Sequence, residues 1–149
     1  MLLKYQNIIE KLPYSEPFLF VDQLNHLDEN GAEGSYTFKE ELDFYRGHFD
    51  GNPVTPGVIL TECCAQIGLV CIGLYLFSES NILHSDFGLF SSEMEFYLPV
   101  YPGETVTVSS KKIYFRFHKL KCEVKMYNAQ GKMVCKGTLS GMIKLNRNA

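Results

Sequence analysis

From Val58 to Phe77 nearly every position is apolar, with Thr61, Glu62 and Gln66 as the exceptions. A helix over this stretch would rise about 30 Å. Pro56 and Gly57 open it with a residue preorganised for a first helical turn, and Thr55 is the expected N-cap. Ser78, Glu79, Ser80 and Asn81 are expected to end it. A helix apolar on all sides is either buried on all sides or inserted in a membrane. Glu62 would lie in lipid and no basic flank anchors either end, so the expectation is a core helix and no membrane span.

The flanks carry a period of two. "FLFVDQLNHLDENGAEGSYTFKE" reads as two strands joined at Asn30-Gly31, a turn signal because both residues tolerate positive φ. "EELDFYRGHFDGNPVTPG" lacks periodicity and reads as a structured loop with one helical turn near Leu42. After the helix come "DFGLFSSEMEFYLPVYPG", "ETVTVSSKKIYFRF" and "KLKCEVKMYNAQGKMVCKGTLSGMIKL", giving about four more strands. Leu120, Cys122, Val124 and Met126 alternate with Lys119, Lys121, Glu123 and Lys125. The phase slips near Lys111-Lys112: Val106 and Val108 are apolar at even positions, Ile113, Phe115 and Phe117 at odd ones, which predicts a bulge or bend. Without a parallel crossover repeat, the pattern predicts an α+β domain over residues 1–149. In it an antiparallel sheet is rolled around one long central helix.

Composition changes little: 149 residues, 46% hydrophobic and 21% charged, suit one globular core. The N-terminal "MLLKYQNIIEKLPYSEP" breaks its apolar run with Lys4, Gln6 and Asn7 and does not read as a signal peptide. Five cysteines without C-x-x-C spacing predict buried, reduced thiols in a cytoplasmic protein and no zinc site. Charge matters more. Residues 1–104 hold four of the 14 Lys/Arg and 16 of the 17 Asp/Glu, a balance of −12. Residues 105–149 hold the other ten basic residues and Glu123, a balance of +9. The plain expectation is a lysine-covered sheet face, and the sharper one is a landing site for an acidic partner at Lys111, Lys112, Arg116, Lys132 and Lys136. No nucleic-acid-binding module is present, and eight of the ten basic residues are Lys.

The candidate chemistry lies in "RGHFDGNPVTPGVILTECCAQIG", Arg46 to Gly68. His48 precedes a loop stiffened by Pro53, Pro56 and Gly57, and a histidine titrates near neutrality, as a general base must. The helix start at Gly57 and Val58 offers unpaired N–H groups to an oxyanion. Glu62 enters an apolar helix, where burial raises a carboxyl's pKa and keeps its proton available.

Three segments, "LPYSEPFLFVD" (12–22), "GHFDGNPVTPGVILTECCAQ" (47–66) and "FYLPVYPGETV" (96–106), resemble in order and spacing the hotdog-fold 3-hydroxyacyl-(acyl-carrier-protein) dehydratases. The resemblance implies a hotdog homodimer or trimer of dimers, and a hydro-lyase acting on thioesters of acyl carrier protein with no metal or cofactor. It implies His48 as catalytic base and Glu62 as catalytic acid. Gly57 is implied as the N–H that holds the thioester oxygen, beside Val58, with Gln66 supporting the helix residues. Glutamate rather than aspartate at position 62 resembles the plain dehydratase branch. Tyr14-Ser15 stand where the family more often has His-Arg, Asp50 where it has proline, Cys63 where it has alanine, and Leu98 where it has a basic residue. These departures bear on substrate choice, between fatty-acid synthesis and a specialised polyene- or polyketide-like pathway. Val58, Ile59, Leu69, Phe87, Phe90 and Phe96 are candidates to line an acyl tunnel. The competing readings are a hotdog thioesterase, which needs no histidine in this loop, and a non-catalytic partner subunit, which needs neither His48 nor Glu62. His26, His84 and His118 carry no functional expectation.

Overall fold

A computed structural model describes residues 5–77 and 85–145. In chain order these form α1 (Gln6–Lys11), β1 (Gln23–Leu27), β2 (Gly31–Thr37), a 3-10 turn (Asp43–Arg46), the long helix α2 (Gly57–Leu76), and four strands. The strands are β3 (Ser85–Phe96), β4 (Thr105–Arg116), β5 (Lys119–Tyr127) and β6 (Met133–Leu145). All six strands join one antiparallel sheet in the order β1-β2-β4-β5-β6-β3. The short helix α1, which the sequence pattern does not announce, packs Ile8 and the following Leu12 into the core.

The sheet wraps α2 because one face of each central strand is apolar. Val106 and Val108 of β4, all four even-numbered residues Leu120 to Met126 of β5, and Val134, Cys135 and Leu139 of β6 are fully buried. Each such side chain contributes about 1.5–3 kcal/mol by leaving water. Helix and sheet approach closely at Gly68, where a Cβ would stand 2.9 Å from Val124 and 3.0 Å from Ser110. Around that contact, residues Gln66–Val70 form a π-helical turn between the α-helical segments Gly57–Ala65 and Cys71–Leu76. Such turns are frequent at functional sites. Most of α2 is buried, as a core helix should be. It is not covered on every side, however: Val58 is 77% exposed, and Ile59, Thr61 and Glu62 are half-buried. Within one chain the apolar helix keeps an open flank.

The predicted phase slip is a β-bulge. Lys112 pairs with Cys122 and Tyr114 with Lys121, which leaves Ile113 inserted. The shift turns Phe115 inward onto Phe77, ring centroids 5.5 Å apart, while Ile113 stays half-exposed. Phe117 stands at the β4–β5 turn, where Phe117 and His118 both have positive φ.

The turn signalled by Asn30-Gly31 joins β1 to β2, with neither residue at positive φ. Instead the Asp28 carboxylate accepts from the Asn30 N–H (2.8 Å) and the Gly31 N–H (3.0 Å), so a side chain closes this turn. Thr55 does not cap α2; Pro56 occupies the cap position, and the Thr55 hydroxyl is paired at 2.6 Å with the Tyr45 hydroxyl in the core. The stop signals Ser78 to Asn81, and His84, lie outside the described residues.

Strand order also redistributes the charge. The acid-bearing β3 pairs with β6, setting Glu95 opposite Lys136, and Lys111 lies opposite Glu123. Glu93, Glu95, Glu123, Lys125 and Lys136 line one shallow groove, so this face presents mixed rather than segregated charge. Lys136 is accordingly a weak candidate for an acidic partner. Arg116 stacks on Tyr114 at 4.3 Å and Lys119 on Phe90 at 3.9 Å. All five cysteines are buried and free.

Candidate active site

The loop from Gly47 to Pro56 is tied to the body by backbone bonds from Val54 to His48 (2.9 Å) and from Thr55 to Val100 (2.8 Å). The turn that reverses at Gly51 is closed by mutual Phe49 and Asn52 bonds. Within it the His48 ring packs against Phe49, centroids 4.1 Å apart, and His48 Nδ1 lies 2.9 Å from the Val54 carbonyl oxygen. A carbonyl only accepts, so Nδ1 carries the proton and donates it there. The lone pair of His48 is thereby placed on Nε2. Both ring position and tautomer are set by the loop.

At the start of α2, the Ile59 and Leu60 N–H groups both turn to the Pro56 carbonyl. The Gly57 and Val58 N–H groups have no backbone partner among the described residues. The Phe96 ring lies 3.4 Å from where a Gly57 side chain would begin, an ordinary van der Waals distance, so the ring stands over this helix end.

Glu62 lies one and a half turns further along and opens into a cavity of about 240 Å³. Tyr14, Phe18, Leu69, Phe87, Leu89, Leu120 and Met142 line the cavity with it. Gln66 is completely buried and organises this region. Its amide donates to Glu62 Oε2 (3.0 Å) and to the Phe18 carbonyl (3.0 Å), and its carbonyl accepts from the Phe20 N–H (2.8 Å). One side chain thus fixes the carboxyl and the segment that forms the cavity wall. Burial pushes the Glu62 carboxyl above its ordinary pKa, partly offset by the Gln66 bond, which favours the ionised form.

The sign of this shift gives a test. A raised carboxyl contributes stability in full below its ordinary value of 4.5 and loses it as pH rises through the folded value. Glu62→Gln has no such loss. Thermal melts should therefore favour the variant increasingly as pH rises from 4.5 towards neutrality. A constant gap across that range would mean that Glu62 is not strained towards its protonated form.

The sequence candidates divide unevenly. Gln66 and Glu62 are directly bonded, but His48 does not line the Glu62 cavity. Within one chain the two are not brought together. Of the tunnel candidates, Leu69 and Phe87 line the cavity; Val58, Phe90 and Phe96 are exposed and Ile59 is half-buried elsewhere. Tyr14 and Phe18 were missed as lining residues. Their signal is the Pro-punctuated "LPYSEPFLF", which belongs to no strand and so has to lie along another element.

A family model described as a FabA-like domain matches residues 12–142, which include the loop, the helix and every residue that lines the cavity. The chain belongs to the FabA-like family. This FabA-like chain is 32% identical over 139 residues to the 3-hydroxyacyl-(acyl-carrier-protein) dehydratase FabZ of Caldicellulosiruptor saccharolyticus, covering 93% of the chain and 96% of that protein. It is 31% identical over 150 residues to the FabZ dehydratase of Ehrlichia chaffeensis, covering 98% and 99%. Among solved structures it is similar to the dehydratase heterocomplex ApeI:P from Xenorhabdus doucetiae, with a TM-score of 0.78 and 16% identity over 95% of the chain and 92% of the other. It is also similar to a hypothetical thioesterase with coenzyme A from Streptococcus pneumoniae TIGR4, with a TM-score of 0.60 and 15% identity over 84% and 87%. At these identities the structures show the fold, and the fold is the hotdog: an antiparallel sheet around one central helix.

Proposed function

We propose that the chain is a hydro-lyase, a single dehydratase domain that converts a 3-hydroxyacyl thioester on acyl carrier protein to the trans-2-enoyl thioester and water. The observation that carries this reading is the pairing of a loop histidine held as the Nδ1–H tautomer with a helix carboxyl raised by burial. His48 Nε2 takes the proton from C2. The Gly57 N–H receives the negative charge growing on the thioester oxygen, a donor of a kind worth about 3 kcal/mol. Glu62 gives its proton to the 3-hydroxyl; the C3–O bond breaks with its electron pair, a C2–C3 double bond forms, and water leaves. Proton exchange with solvent resets both residues. No metal or cofactor is required by these steps.

The site is completed by a second copy of the chain, His48 of one subunit facing Glu62 of the other. Three features support this assembly: the open flank of α2 at Val58, the absence of His48 from the Glu62 cavity, and the exposed Leu89, Phe90 and Phe96 on edge strand β3. Five buried free thiols fit a reducing compartment, and we place the enzyme in the cytoplasm. A thioesterase would use the same fold and a helix carboxylate to activate water, but the fixed tautomer of His48 would then have no task.

The direct test is incubation with 3-hydroxyacyl carrier protein and mass spectrometry of the acyl chain. Loss of one water is expected; release of free acid would favour the thioesterase. The shared site has its own test. Inactive His48→Ala and Glu62→Gln chains, unfolded together and refolded, should regain about a quarter of wild-type activity, because half the dimers are mixed and each mixed dimer has one intact site. No recovery would put both residues in one chain's site.

A further inference from the structure

We propose that Tyr14 is a further substrate-contacting residue, its hydroxyl holding the 3-hydroxyl oxygen of the acyl thioester against the Glu62 carboxyl. This inference rests on the dehydratase reading and adds a residue to it.

The argument starts from the cavity wall. Among the described residues that line it, Tyr14 and Glu62 alone carry side chains with strong hydrogen-bonding groups; the rest are aromatic, aliphatic, Met142 or glycine. Glu62 Oε2 is committed to Gln66. Glu62 Oε1 and the Tyr14 hydroxyl make no hydrogen bond to any described residue. Both oxygens face the cavity with hydrogen-bonding capacity left over, so together they offer a polar ligand two partners in an otherwise apolar wall. The two share one cavity wall, and the Glu62 charge adds to burial in pushing the Tyr14 phenol up to about 12. They are also positioned as a unit, since Gln66 holds Glu62 and the Phe18 and Phe20 backbone immediately after Tyr14.

The chemistry of the pair matches an alcohol about to leave. A hydroxyl oxygen has two lone pairs. One accepts from Tyr14, which keeps its proton throughout the working pH range. The other takes the proton of Glu62 as the C3–O bond breaks. Tyr14 thus remains a donor to the departing water and never competes for the transferred proton. Serving only as wall, the Tyr14 ring would pack beside Phe18, their centroids 6.3 Å apart, and its hydroxyl would be idle.

Tyr14→Phe separates the two roles, because it keeps the ring and removes only the hydroxyl. The substrate is the 3-hydroxybutyryl thioester of N-acetylcysteamine; the control ligand is the butyryl thioester, which lacks the 3-hydroxyl. Turnover by Tyr14→Phe should fall about tenfold to a hundredfold, the range for one lost hydrogen bond in a water-poor site. Inhibition by the butyryl thioester should stay within about twofold, since it never meets the phenol. Wild-type-like turnover, or equal weakening towards both thioesters, would overturn the role of Tyr14. A wild-type protein inert towards every 3-hydroxyacyl thioester would instead overturn the dehydratase reading itself, so the two failures are distinct.

Discussion

Replacing His48 by alanine should reduce dehydration by about two to four orders of magnitude, the range for losing a positioned general base, and Glu62→Gln should do the same from the acid side. His48 is half-buried, and its one side-chain hydrogen bond among the described residues, to the Val54 carbonyl, lies within its own loop. The alanine variant should therefore melt within a few degrees of wild type. Glu62→Gln keeps the shape of the side chain and an oxygen for Gln66 to reach. Circular dichroism checks the fold, and the rate of enoyl thioester formation checks the chemistry. If either variant retained more than about a tenth of wild-type turnover, that residue would not be the base or the acid.

Gln66→Leu should damage both fold and activity. The substitution fills roughly the same volume but strips partners from the Phe20 N–H, the Phe18 carbonyl and Glu62 Oε2 together. Each buried group left unpaired costs about 1–3 kcal/mol. Allowing for relaxation, the loss should be roughly 2–5 kcal/mol, and the melting temperature should drop by roughly 5–15 °C. Activity should fall further than folding explains, because the carboxyl and the wall bearing Tyr14 lose their common tether. Gln66→Glu offers a contrast: its carboxyl, if ionised, would repel Glu62. A leucine variant as stable as wild type would show that Gln66 organises nothing.

Much of this molecule is written in its periodicity. The twenty-residue apolar helix, the two-residue alternation of β5 and the bulge beside Lys112 all follow from side chains that must face one core. His48, Gly57 and Glu62 are legible because they sit on a helix start and its preceding loop, where spacing along the chain fixes spacing in the fold. Cross-chain relations were less visible. That Gln66 would grip the Phe18–Phe20 segment is a contact between residues 46 and 48 positions apart, and no local pattern encodes it. The cavity lining is legible only in part: Leu69 and Phe87 line it, whereas Phe90 and Phe96 of β3 are exposed in the single chain, on the margin that the proposed second copy would cover. Thr55 misled because a good capping residue found a better partner in Tyr45.

Strand β3 spans twelve residues and pairs only with β6 among the described residues, so its other margin stands open beside exposed Leu89, Phe90 and Phe96. A free, partly apolar margin of this length is a template for indiscriminate β-pairing. In the proposed dimer a second copy would cover this margin, so a newly made chain would pass through a hazardous interval ended by meeting that copy. Cellular supply becomes part of the protein's physics. Under that assembly, synthesis too slow for chains to find each other would prolong exposure to proteases and aggregation and abundant synthesis would shorten it, so dosage, as much as sequence, would set how much enzyme survives.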